Sequence, residues 1–165
     1  MSDADGGAPP QASSGWRAAS LLWSGGCALV IMLCIAAVAG PKLISARAHG
    51  NESAAIGALR QLGNAQAQYR ERTGRFGTLA ELAEVELIDP VLGAGEQQGY
   101  RFACGPGQEP AFLWWATANP IRPGGSGDRY FATSHFGVVY YALDAPVAID
   151  PRTGEVPEGV NAVGR

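Results

Sequence analysis

Histidine, cysteine and carboxylate side chains build most catalytic and metal sites, and this chain of 165 residues holds few of them in a workable spacing. Its two histidines, His49 and His135, stand far apart, and neither has a cysteine or acidic residue at ligand spacing, so no metal site is expected. Cys27, Cys34 and Cys104 are odd in number and scattered, which is neither a disulfide framework nor a zinc pattern, and they read as small buried residues. Ser134 and His135 are adjacent, but neighbours in an extended strand face opposite ways, so they make no catalytic pair, and a hairpin turn is the expected place for His135. Glu81, Glu84 and Glu86 read as a solvated helix face. Nucleophile-elbow, phosphate-loop and dinucleotide glycine patterns are absent, and "GPG" and "PGGSG" read as turns. The expectation is a protein that is not an enzyme, with no catalytic residue, no cofactor and no small-molecule substrate. The net charge of −3 carries no basic surface for nucleic acid.

The elements that could position any of these groups begin with a polar leader, residues 1–17. From Ala18 to Pro41 the chain is uncharged, "AASLLWSGGCALVIMLCIAAVAGP". As a helix rising ~1.5 Å per residue it would be roughly 36 Å long, enough for a ~30 Å hydrocarbon core. A transmembrane helix over 18–41 is expected, in contact with membrane lipid. The competing reading is a secretory signal cleaved after Ala39, from the small residues "AVA". Ala55, Ala58, Leu59, Leu62, Ala65 and Tyr69 fall on one face at helical pitch, with Glu52, Arg60, Asn64 and Arg70–Arg72 on the rest, so an amphipathic helix is predicted over 42–72, beyond a bend at Gly40 and Pro41. Thr78 and Glu81 form a capping-box pattern that opens a short helix over 78–88. Its apolar stripe is Leu79, Leu82 and Val85 or Leu87, and Asp89-Pro90 is expected to stop it. "GYRFAC", "AFLWWATA", "DRYFATS" and "GVVYYAL" then read as strands of an antiparallel meander over about 99–143, followed by a tail over 144–165. Residues 42–165 form the expected head.

The stretch "GPKLISARAHGNESAAIGALRQL" supplies Pro41, Leu43, Ala46, Arg47, Asn51, Glu52, Ala55, Ile56, Leu59 and Arg60 in an order and spacing that resembles the type IV pilin and pseudopilin superfamily. "AQAQYRERTGRFGTLAEL" and "ANPIRPGGSGDRYFATSHFGVVYY" extend the likeness over most of 40–141. The resemblance implies an α+β fold in which a long N-terminal transmembrane-plus-amphipathic helix packs on an antiparallel β-meander. It implies a structural or assembly subunit of a pilus or secretion system, acting by helix packing in the membrane and filament. Other pilin-like subunits or copies of the chain would be its partners. The alternative is a membrane-anchored binding module that keeps the head and leaves the filament. The implied place is the bacterial inner membrane, single-pass, with the C-terminal domain outside the cytoplasm or on a cell-surface filament. Lys42 and Arg47 behind the apolar run weigh for the opposite orientation.

Members of this superfamily are processed after a glycine, before an aromatic residue, with a glutamate at the fifth position. Gly15, Trp16 and Ser20 fall at these places in "SGWRAASLLW", with serine where glutamate is expected. A second register, counted back from Pro41, puts Ser20 first and Ser24 at the glutamate position. Neither register supplies glycine, aromatic and glutamate together.

Overall fold

Ala55, Ala58, Leu59, Leu62, Ala65 and Tyr69 are all buried, as the helical spacing requires. They lie on helix α1, Trp16–Thr73, in a computed structural model that describes backbone for residues 16–164 and side chains for residues 45–164. The chain divides into two units, Met1–Lys42 and Leu43–Arg165. Leu43–Arg165 is the head. Helix α1 ends where Gly74 takes a left-handed φ of 79° and donates its N–H to Arg70 O.

The expected fold class needs correcting. Among the described residues no helix is long and apolar enough to cross a membrane. What the head shows is the stretch 45–73 of α1 with a sheet of six antiparallel strands. The described part of α1 carries Arg47, Glu52, Arg60, Arg70, Glu71 and Arg72, charges that hydrocarbon would exclude. The apolar run 18–41, the bend at Gly40 and Pro41, and the processing residues Gly15, Trp16 and Ser20 lie outside the residues whose side chains are described.

The short helix differs from the expected 78–88. Helix α2 spans Leu79–Glu84, opened by the capping box: Thr78 N–H donates to Glu81 Oε2 at 2.8 Å, and Glu81 N–H to Thr78 Oγ1 at 3.3 Å. It ends early because Glu86 turns to a left-handed φ of 57°. Leu87, rather than the exposed Val85, joins Leu79 and Leu82 against the core. Asp89 starts an element instead of only ending one. Its Oδ1 accepts the Val91 N–H at 2.7 Å and caps helix α3, Pro90–Gly93, whose first residue is the proline.

Strands β1 (Glu96–Gln97), β2 (Tyr100–Pro106), β3 (Trp114–Pro120), β4 (Tyr130–Ser134), β5 (Val139–Ala142) and β6 (Asn161–Ala162) pair in chain order, each antiparallel to the next. The meander was legible; β1 and β6, of two residues each, were not. Phe112 and Leu113 belong to the turn before β3, so the strand is shorter than "AFLWWATA". On the inward face Tyr100, Phe102, Cys104, Trp114, Ala116, Ala118, Phe131 and Val139 merge with the α1 stripe, Leu82 and Leu92 into one core. On the other face Ala132 and Ser134 are also buried. The tail lies there: Gln108 N–H donates to Arg152 O at 2.7 Å, and a Cβ at Gly154 would stand 3.1 Å from Ser134 Cβ.

Candidate functional site

The buried polar side chains of α1, Glu52 and Gln66, are the first place to look for chemistry, and both are bonded to backbone of the head itself. Glu52 Oε1 accepts the N–H groups of Asp128 and Arg129 at 2.8 and 3.2 Å, and Oε2 accepts from Arg129 Nε at 2.8 Å and is ion-paired to Arg129 Nη2 at 2.7 Å. Burial alone would raise the Glu52 carboxyl; the Asp128 N–H, the Arg129 guanidinium and the Arg129 N–H outweigh it and hold the group below the usual carboxylate range. Asn51 Nδ2 donates to Ser126 O at 2.9 Å, so neighbouring helix residues grip both halves of the turn before β4. Gly127 has no room for a side chain there, because a Cβ would overlap the Tyr100 hydroxyl, which itself donates to Arg129 O at 2.8 Å.

One helix segment later, Gln66 does the same for the loop after α1. Its Oε1 accepts the Gly77 N–H at 2.9 Å, and its Nε2 donates to Gly77 O at 2.6 Å and to Cys104 Sγ at 3.0 Å. Burial pushes the Cys104 thiol up to about 12, against the Gln66 hydrogen bond. A thiol so placed is a packing group at neutral pH rather than a nucleophile.

His49 is exposed on α1, with Nδ1 2.9 Å from Ser45 O; His135 sits in the turn after β4, as expected, and its N–H donates to Trp114 O. The structure does not bring the histidines together. Among the described residues no group of three or more His, Cys, Asp or Glu side chains is placed to hold a metal ion. Glu81 is not simply a solvated face residue. The Arg75 guanidinium, then the Thr78 N–H, hold its carboxyl down at about 2.

A groove of about 780 Å³ lies between α1 and the turn after β4. That volume lies in the range of ligand sites, roughly 300–1,000 Å³. Arg60, Gly63, Asn64, Ala67, Arg70 and Glu71 form the helix wall. Phe76, Trp114 and Val139 give an apolar floor, and His135 closes the far side. The Arg70 guanidinium carbon is 5.4 Å from the Phe76 ring centre and 5.6 Å from that of Phe112, and the rings of His135 and Phe136 stack at 4.0 Å. Phe112 and Phe136 stay 61% and 59% exposed, so aromatic surface stands at the groove's border.

Sequence reasoning placed Arg60, Asn64 and Arg70–Arg72 on the solvent face and missed the groove. The signal it held is small residues among the cations, Arg60, Gly63, Asn64, Ala67 and Arg70, at the same helical spacing as the core stripe. Compared with known proteins, the chain matches no family model and no curated protein.

Proposed function

We propose that this chain is a structural or assembly subunit of pilin type, working by packing against other subunits outside the cytoplasm and not by turnover. One observation carries the reading. The buried polar side chains of α1, Glu52 and Gln66, are bonded to loops of the head, which makes helix, loops and sheet one rigid block suited to packing. The residues engaged, Asn51, Glu52 and Gln66, fall within the stretches that resemble pilins. The test is cross-linking of the full-length protein in its own cells. A ladder at multiples of the 17.1 kDa chain is expected, and a single band under conditions that cross-link a control filament would refute assembly.

A second reading, a binding module with the same head, is favoured by the exposed rings of Phe112 and Phe136 beside the groove. Isothermal titration against candidate partners separates it from the first, because it requires binding by the monomer.

A further inference from the structure

We infer that the groove beside α1 takes an extended acidic peptide segment of about five residues with an apolar or aromatic residue near its middle. The inference rests on the second reading, the binding module, and stands whether or not the chain assembles.

Length comes first. The helix wall runs from Arg60 to Glu71, roughly 16 Å at ~1.5 Å per residue, which an extended chain covers in about five residues at ~3.3 Å each. Charge comes second. The described ion pairs are Arg75–Glu81, Arg101–Glu96 and Arg129–Glu52, so neither Arg60 nor Arg70 is paired with a carboxylate. These cations stand at opposite ends of the wall, with Glu71 its one acid. Arg70 is already held between two aromatic rings, so little side-chain freedom is lost when it meets a carboxylate. The floor comes third. Trp114 lies against the wall, 3.8 Å from where a Cβ on Gly63 would stand, and being 5% exposed shows only an edge; the open apolar surface comes from Phe112 and Phe136 at the groove's border. Exposed aromatic rings beside unpaired arginines have the composition enriched at protein interfaces. A peptide with carboxylates near its ends and a ring or branched side chain between them satisfies all three.

The probe is N-acetylated, C-amidated Glu-Leu-Trp-Leu-Asp carrying a fluorophore, titrated by anisotropy with full-length protein. The controls are Lys-Leu-Trp-Leu-Lys, Gln-Leu-Trp-Leu-Asn and N-acetyltryptophan. The acidic peptide is expected to bind at least tenfold tighter than every control, and less tightly as salt rises from 50 to 500 mM, as ~10 Å screening at 0.1 M requires. Arg60→Glu and Arg70→Glu are each expected to weaken it at least tenfold, and Gly63→Phe to block it. Unchanged thermal melting of the two arginine variants assigns the loss to the site. Should Arg70→Glu lower the melting temperature, Arg60→Glu, whose side chain makes none of the described contacts across the fold, carries the test. Equal binding of the neutral or basic peptide overturns the acidic chemistry while leaving a binding module. N-acetyltryptophan binding as tightly as the peptide makes the occupant a small molecule and overturns the peptide. No binding across the panel overturns the inference and leaves the second reading to titration against other partners.

Discussion

Glu52 on α1 and Arg129 before β4 are 77 positions apart and form a two-pronged ion pair, with Glu52 almost wholly buried and Arg129 partly open to solvent. The same carboxylate also accepts two backbone N–H groups of that turn. Replacing it strands three donors of the head at once. Glu52→Leu is expected to lower stability by about 2–4 kcal/mol, because hydrogen bonds to charged groups and half-broken buried pairs are the costly kind. Chemical denaturation of the full-length protein measures it, and a change below ~0.5 kcal/mol would remove the pair from the account of this fold.

The pH dependence follows from the direction of two shifts. Glu52 and Glu81 are both held below their ordinary value of 4.5, Glu81 to about 2. Depressed carboxylates contribute stability that is present above the unfolded pKa and is lost as pH falls through the folded one. Stability should therefore be level from pH 7 to about 5 and decline from there toward pH 2. Glu81→Gln should flatten part of that decline, and less so in high salt, since the Arg75–Glu81 pair is partly solvated. An acid limb identical to that of the unaltered protein would rule this contribution out.

Gln66 and Cys104 give a chemical readout of the loop clamp. With Cys27 and Cys34 replaced by serine, Cys104 should be inert to a thiol reagent at pH 8, being buried and raised to about 12, and should react fully on unfolding. Gln66→Leu leaves both backbone groups of Gly77 without their partner and should cost about 1–3 kcal/mol. It should also speed Cys104 labelling. Labelling at the unaltered rate would mean the loop holds without the glutamine.

Trp114 and Trp115 should separate cleanly. Trp114 is 5% exposed and packs in the core with Phe76, at 6.2 Å between ring centres, whereas Trp115 lies on the opposite face and is half-buried. Trp114→Ala is expected to cost ~3–5 kcal/mol and Trp115→Ala ~1 kcal/mol or less. Equal losses would show that the tail covers the second face as tightly as α1 covers the first.

Glu86 is a site where the chain can be improved. It is non-glycine at a φ of 57°, a backbone region that suits glycine. Glu86→Gly should raise stability by about 0.5–1 kcal/mol despite the greater freedom of the unfolded chain. A loss instead would mean that Glu86 contributes through its side chain.

What could be read in advance were features whose partners lie a few residues away. The α1 stripe, the Thr78–Glu81 cap and the order of the four longer strands depend on spacing and local bonding, and all appear. Glu52 was assigned to the polar face because helical pitch says only which way a residue points, not that a turn 76 residues on will fold over it. Gln66 failed to stand out for the same reason, its partner Gly77 being in a loop. Both short outer strands exist through pairing alone and have no periodicity to read. The groove depends on the turn after β4 coming to lie beside the Gly63 stripe, a tertiary event. Its lining mixes cations with small residues and matches neither an apolar nor a polar pattern.

The sheet is bordered on each side by a strand of two residues, Glu96–Gln97 and Asn161–Ala162. Each border strand itself offers an incoming chain few N–H and C=O groups to template on, and Glu96, ion-paired to Arg101, adds charge at one of them. Neighbouring heads at high local density are thereby discouraged from fusing edge to edge into a continuous cross-β stack. Crowding alone should not drive this head to amyloid.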